Sequence, residues 1–298
     1  MTTIPAVTQH GLPDRIEFRI GGELFTSYVF GDPKAERPYF YPLLAPTGEN
    51  LTRKFPMETG DANEPTDHPH HRSLWSGHGD MNGHDNWNAR PAHGWTRFRR
   101  LEETGSPDTL VAHSDCTDHD GNLLGHETLA VKIVPLADGA RLIDWRVMLT
   151  APENAGLKLG DTKEAGLVAV RVAAPLQGDR GGKIENAEGL VGEGDAWGKP
   201  SRWCDYSGKL TPEGETVGVA VLSHPGGYGH PTHWHVRGYG LFSANPFGLS
   251  AFTKGAENGT VTLAPGESLV FHYAVVVHAG DASAANIEAI WQEWQATE

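Results

Sequence analysis

Cysteine is scarce. Cys116 and Cys204 are the only two in 298 residues, too few and too far apart for a disulfide framework or a Cys-based zinc site, and both read as ordinary buried thiols. No apolar run approaches bilayer-spanning length. The opening MTTIPAVTQHGLPD has no basic segment followed by an apolar one, so no leader is expected there and a cytoplasmic location is the reading. No cluster of Lys or Arg is present either: 24 basic residues stand against 38 acidic ones, for a formal net charge of −14. That excludes nucleic acid and membrane as expected partners, since both attract clustered cations. There is no Rossmann glycine fingerprint, no Walker loop and no regular βαβ alternation. G-x-S-x-G and H-E-x-x-H are also missing, which disfavours covalent serine chemistry and zincin chemistry. No linker, charge block or repeat divides the chain, so 1–298 reads as one domain.

What is present points to strands. The 37 glycines and 20 prolines mark many turns. Alternating or β-rich runs predict strands at Arg15–Ile20, Leu24–Phe30, Tyr39–Leu44, Trp95–Leu101 and Leu110–Cys116. Leu123–Val134 and Arg141–Leu149 form the clearest unit, a hairpin turning at Asp138-Gly139, where glycine tolerates a positive φ. Further strands are expected at Leu167–Val172, Thr216–Ser223, Thr232–Val236, Leu241–Ala244, Gly259–Leu263 and Glu267–Val277. One helix is expected, at the C-terminus. Asp281 or Ser283 would cap it, and Ile287, Ile290, Trp291 and Trp294 share one face, to be packed on the outside of a sheet.

Polar residues concentrate in two places. Asp67 to Trp87, DHPHHRSLWSGHGDMNGHDNW, has neither helical nor strand period and reads as a loop carrying His68, His70, His71, His78 and His84. An arginine beside several histidines, as at His71, Arg72 and His78, gathers positive charge with no packing benefit. The second group is His233-Trp234-His235-Val236-Arg237, where strand alternation puts His233, His235 and Arg237 on one face and Trp234 and Val236 on the other. H-x-H on a strand suits metal ligation, direct hydrogen bonding to a ligand, or a solvated face. A third stretch, Asp161 to Gly166, leads into a strand bearing Arg171, whose guanidinium needs a partner that Glu164 or Asp161 would supply. Glu127 shares a face with Leu129, Val131 and Ile133, lining a cavity or lying at the wet end of its strand. Trp75, Trp87 and Trp234 are interleaved with these polar groups, as aromatic platforms for sugar rings would be.

Several blocks resemble the bacterial PmoA-like family of unknown function. They are Tyr41-Pro42-Leu43-Leu44-Ala45-Pro46 with Gly48, Thr52-Arg53, Asp67 to Trp75, His78-Gly79-Asp80 with Asn82-Gly83, Asp161-Thr162-Lys163-Glu164, Arg171-Val172, His233 to Arg237, Tyr239-Gly240-Leu241 and Asn245-Pro246-Phe247-Gly248. One position departs, Ala165 standing where the pattern has glycine. The methane-oxygenase label often attached to such chains does not suit this one, which lacks hydrophobic spans. The resemblance implies a large antiparallel β-sandwich similar to the galactose-mutarotase superfamily, with sugar bound on a concave sheet face, and implies no settled reaction.

The expectation is therefore an all-β sandwich with a C-terminal helix, acting on a sugar or sugar derivative by acid/base chemistry of epimerase, lyase or hydrolase type. Glu164 or Asp80 would be the base, and His78, His233 or His235 the acid. His71, Arg72, Trp75, Arg171, Arg237 and Asn245 would bind substrate. Two alternatives stand beside it: a divalent-metal enzyme with His233 and His235 as ligands, and a non-catalytic sugar-binding module. Pairing into a homo-oligomer through edge strands is left open. The whole reading needs the regions near 70 and near 235 to line one hollow, with Glu164 and Arg171 close by.

Overall fold

A computed structural model describes residues 4–61 and 63–297. The chain begins one antiparallel sheet with β1 (Val7–Gly11), β2 (Arg15–Ile20), β3 (Glu23–Val29), β4 (Tyr39–Leu43), β5 (Leu74–Met81) and β6 (His84–Asn86). It then lays down a second with β7 (Trp95–Glu102), β8 (Thr109–Thr117), β9 (Leu123–Pro135) and β10 (Arg141–Thr150). It returns to the first for β11 (Leu157–Leu159) and β12 (Ala165–Arg171), then to the second for β13 (Lys183–Asn186), β14 (Trp203–Lys209) and β15 (Thr216–Ser223). Finally β16 (Trp234–Val236), β17 (Leu241–Ala244) and β18 (Val261–Leu263) join the first sheet and β19 (Ser268–Ala279) the second. The main path of the first is β1-β2-β3-β4-β5-β12-β17-β16, and the second runs β13-β14-β15-β19-β10-β9-β8-β7. Among the described residues three short α-helices are added: α1 (Glu193–Ala196), α2 (Leu249–Phe252) and α3 (Ile287–Trp294).

The result is the large antiparallel sandwich expected. The inner faces meet in one core that runs from Phe40 and Trp145 through Val168, Val170 and Phe242 to Val275 and Val277. The Asp138-Gly139 turn joins β9 to β10 as predicted, with Gly139 at φ 89°. α3 packs Ile287 and Trp294 against Leu142, Leu222 and Val276 on the outside of the second sheet. Its cap differs from expectation: Asp281 accepts from the Ala284 N–H one turn earlier, and the helix itself starts after Asn286, whose side chain accepts no capping bond.

The main correction falls on Asp67–Trp87. Leu74–Met81 is not loop but a central strand, paired with β4, β12, β6 and β11. Its period is hidden because both faces are buried and neither is uniformly apolar. Inward, Ser76 donates to the Glu127 carboxylate at 2.8 Å, and His78 packs edge-on against Phe247, 4.5 Å between centroids. Outward, Gly77 and Gly79 leave room where a Cβ would press on Arg37 and Trp87 or come within 2.6 Å of the Glu164 carbonyl. Glu127 is thus buried between the sheets, with burial raising its pKa, and not at a wet strand end.

Candidate functional site

One row of residues explains how distant segments meet. On the outer face of the first sheet Trp75 lies opposite Ala169, Ala169 opposite Ser243, and Ser243 opposite His235. At about 4.8 Å per strand the row spans roughly 14 Å. Trp234 and Val236 point the other way into the core, as alternation required. A bulge between Gly166 and Ala169 puts Ala169 and Arg171 on this outer face while Val168 and Val170 fill the core.

The loop before β5 is held by two buried arginines. Arg53 donates to the carbonyls of Phe55, Asp67 and His68 at 2.7 to 3.0 Å. Arg37 ties Asn86 and Trp87 to the same region through their carbonyls, at 2.8 and 2.7 Å. A loop lacking period is fixed in this way by side-chain donors meeting backbone acceptors. It presents His68 at φ 44°, a left-handed conformation that costs a non-glycine residue about 1 kcal/mol and persists only where the surroundings impose it. Here they do. The His68 ring is stacked between His71 at 4.8 Å and Tyr239 at 5.4 Å, and His71 lies on Trp75 at 5.3 Å.

Asp67 is the hub beneath this stack. Its Oδ1 accepts from Arg53 Nη1 at 2.8 Å and from Arg171 Nη2 at 2.9 Å, and its Oδ2 from His68 Nδ1 at 2.6 Å. Burial pushes this carboxyl up, but Arg171, His68 and Arg53 together hold it below its usual value. Arg171 therefore finds its partner in Asp67, and not in Glu164 or Asp161 as expected. Asp161 instead accepts from the backbone of Ser250 and Gly259.

A hollow of about 510 Å³ opens above these groups, lined by His68, His70, Asn88, Arg90, Lys163, Glu164, His235, Arg237 and Tyr239, with Pro69 and Ala89. The two histidine-rich segments do line one depression. Glu164 is ion-paired to Lys163 at 2.7 Å, and Arg237 to Glu193 at 2.9 Å. A larger depression of about 620 Å³ beside Thr52 and Ala173 has no histidine in its lining.

Proton positions follow from donors that cannot accept. Trp197 Nε1–H donates to His235 Nδ1 at 2.9 Å, so the His235 proton sits on Nε2. Burial, then Lys163 and Arg237, lower the His235 pKa to about 3, leaving a neutral ring with an N–H donor. Arg171 likewise donates to His71 Nδ1 at 3.1 Å, and burial followed by His70 and Arg171 keeps His71 neutral. This chemistry does not fit an H-x-H metal site. A lone pair at His235 Nε2 would set an Nδ1–H against the Trp197 N–H. His233 is stacked on Phe252, 5.8 Å between centroids, and does not line the hollow. Among the described residues no group of three or more His, Cys, Asp or Glu is placed to hold a metal ion.

Of the expected site residues, Glu164, His235 and Arg237 line the hollow, and His71 and Arg171 lie directly behind it. The others are elsewhere. His78 faces the core, with Nδ1 accepting from the Asp80 N–H. Asp80 accepts from Gly83 N–H in the β5–β6 turn. Arg72 meets Asp32 at 3.1 Å and Glu36 at 3.5 Å, so its charge does have a packing partner. Trp75, Trp87 and Trp234 are fully buried and offer no face to a sugar. Asn245 spends its amide on backbone: it donates to Thr162 and Lys163 carbonyls and accepts from Phe247 and Gly248 N–H. Asp67, Lys163, Tyr239 and the role of His68 are not among the site residues expected from the sequence. The adjacent Asp67-His68 pair was the available signal.

Fold and site together define a large antiparallel sandwich with a polar, histidine-bearing hollow on the outer face of one sheet. The chain belongs to the family described as "Family of unknown function (DUF6807)", whose profile matches residues 15–292. That description carries no activity, and nothing in it supports the methane-oxygenase label. No curated protein matches the chain. One similar solved structure is that of a protein provisionally described as an aldose 1-epimerase from Escherichia coli K12. The likeness covers 93% of this chain and 99% of that one at 13% identity and a TM-score of 0.36, values too low to carry an inference about activity. No helix among the described residues is long and apolar enough to cross a membrane.

Proposed function

We propose that the hollow is the active site of an enzyme acting on a sugar or sugar derivative by acid/base chemistry of epimerase, lyase or hydrolase type. The observation that carries this reading is His68, oriented through Nδ1 by Asp67, sharing one hollow with Glu164 and with the neutral N–H of His235. With both ring faces covered by His71 and Tyr239, the free edge of His68 presents Nε2 as a base. Asp67 would stabilise the imidazolium that forms, and Glu164 is the second proton carrier. His235 is assigned a different task from the proton donor first expected. A ring with a pKa of about 3 gives up no proton at neutral pH but polarises an oxygen by hydrogen bonding. Hydrogen-bonding side chains around most of the rim suit a polyhydroxylated ring, and about 510 Å³ accommodates a small molecule.

The test is a thermal-shift screen against aldoses, keto-sugars and sugar acids, with product analysis of each hit. Conversion of a hit, lost about 100-fold or more in Glu164→Gln and in His235→Ala with melting curves otherwise like the wild type, supports the reading. A sugar that binds tightly and is never converted favours the binding module. Conversion unchanged in both variants contradicts the assignment.

A further inference from the structure

The hairpin that carries His235 brings a second group to the hollow. β16 and β17 are joined by the turn Arg237-Gly238-Tyr239-Gly240, closed by the Gly240 N–H on the Arg237 carbonyl at 2.8 Å, with Gly240 at φ 94°. Residues outside the lining brace this turn. Tyr206 Oη accepts from the Arg237 N–H at 3.0 Å and donates to the Leu241 carbonyl at 2.9 Å, while Glu193 takes the Gly238 N–H and the Arg237 guanidinium. Tyr239 is thereby held with its ring parallel to His68, 5.4 Å between centroids and 5° between planes. The guanidinium carbons of Arg171 and Arg237 lie 4.7 and 5.5 Å from its centroid.

The ring is fixed and the hydroxyl is free. Tyr39 and Tyr206 commit their hydroxyls to Asp32 and to backbone, whereas that of Tyr239, which lines the hollow, has no hydrogen-bond partner among the described residues. Burial raises its pKa, Arg237 and Arg171 oppose the rise, and Glu164 and Asp67 add to it, so the phenol is protonated at neutral pH. The hollow therefore holds two neutral donors, Tyr239 O–H and His235 Nε2–H. Such groups release no proton readily, but they stabilise an oxygen on which negative charge develops. The cations of the lining already have counter-charges: Glu164 for Lys163, Glu193 for Arg237 and Asp85 for Arg90. Glu164 is also the single carboxyl among the lining residues, where glycoside hydrolysis ordinarily takes two.

From the two donors and the lone carboxylate we infer that the hollow enolises a carbonyl sugar, an open-chain aldose or ketose, with Tyr239 as a further catalytic residue that holds the enediolate oxygen beside His235. This rests on the sugar-processing reading above and gives it a substrate class and a reaction, aldose–ketose isomerisation; the enediolate is also the intermediate of epimerisation beside a carbonyl. His68 Nε2 takes the proton from the carbon next to the carbonyl. That C–H electron pair becomes the C=C bond, and the carbonyl π pair moves onto oxygen, where Tyr239 and His235 meet it. Glu164 carries the hydroxyl proton of the neighbouring carbon to that oxygen, and His68 returns its proton to the former carbonyl carbon. The product is the isomeric carbonyl sugar, and no oxidant or reductant is consumed.

The test is isothermal titration calorimetry on the full chain, with EDTA present because hydroxamates chelate metal ions. The probes are D-fructose and D-tagatose, their enediolate mimics D-arabinonohydroxamate and D-lyxonohydroxamate, methyl α-D-glucopyranoside and methyl α-D-galactopyranoside as sugars without a carbonyl, and acetohydroxamate. A sugar hydroxamate binding 10²-fold or more tighter than its ketose supports the inference, provided Tyr239→Phe weakens it ten-fold or more while ketose affinity and melting temperature stay near wild type. A smaller preference, or a smaller loss in Tyr239→Phe, overturns the inference and leaves the sugar reading standing. Methyl glycosides binding as tightly as the sugar hydroxamates do the same. Acetohydroxamate binding as tightly as the sugar hydroxamates overturns the sugar reading. Binding of none of the probes at millimolar concentration overturns the inference as well.

Discussion

The indole N–H of Trp197 meets Nδ1 of His235 at 2.9 Å, and this one bond decides which nitrogen of the imidazole carries the proton. Trp197 follows α1 and is far from His235 in sequence, so it is a positioning residue and not a ligand of substrate. Trp197→Phe keeps the packing and removes the donor, freeing the ring to take either tautomer. A fall in kcat of about ten-fold with little change in KM is expected, the loss of one oriented hydrogen bond. Nitrogen-15 NMR of the wild type should find His235 protonated at Nε2 alone and untitrated down to pH 5. A protonated Nδ1 would remove the tautomer argument.

Stability should fall as solutions are acidified from neutral. Burial lowers His70, His78 and His235 from 6.5 to about 3, and His71 is also lowered. In the unfolded chain each binds a proton near its ordinary value. Between pH 6.5 and about 3 the unfolded state therefore holds more protons, and the stability these groups contribute is present above 6.5 and lost on the way down. His278 has the opposite sign. Despite burial, Asp205 at 2.8 Å raises it, so its contribution is present below 6.5 and lost as pH rises through its folded value. Burial lowers His224, His230 and His233 as well, so the depressed rings outweigh the one raised. Urea unfolding at pH 5.5 should give a free energy lower than at pH 7.5 by about 1 kcal/mol per depressed histidine, and His78→Gln should flatten the slope by about one proton. Stability independent of pH over that interval would contradict the burial of these rings.

Asn245, expected from the sequence to bind substrate, is a brace. Its four bonds to backbone groups tie the loop at Thr162 and Lys163 to the turn at Phe247 and Gly248. Asn245→Ala should cost about 2–4 kcal/mol by leaving buried backbone groups unpaired, and should raise KM by letting Glu164 drift. A variant as stable as the wild type but without sugar binding would restore the contact reading.

The fold was legible because most strands bury one face, and alternation records that. The predicted β9–β10 hairpin and the outward packing of α3 are of this kind. β5 was not legible, since Ser76 and His78 point inward while Gly77 and Gly79 accommodate neighbours, and no polarity pattern survives such a double constraint. At the site, alternation placed His235 and Arg237 on the correct face. Partners set by tertiary contact were hidden: nothing local shows that Arg171 meets Asp67 across a sequence separation of 104, or that Arg72 has two carboxylates of its own.

The central claim is that His68 and Glu164 move protons on a bound sugar. It is tested most directly by incubating the protein in D₂O with the sugars that shift its melting temperature and following the spectra by proton NMR. Wild type should wash deuterium into one carbon position or convert the sugar outright, and His68→Asn and Glu164→Gln should each slow this by 10²–10⁴ while still binding the same sugar. Conversion at the wild-type rate in both variants would show that the hollow is not where the chemistry takes place.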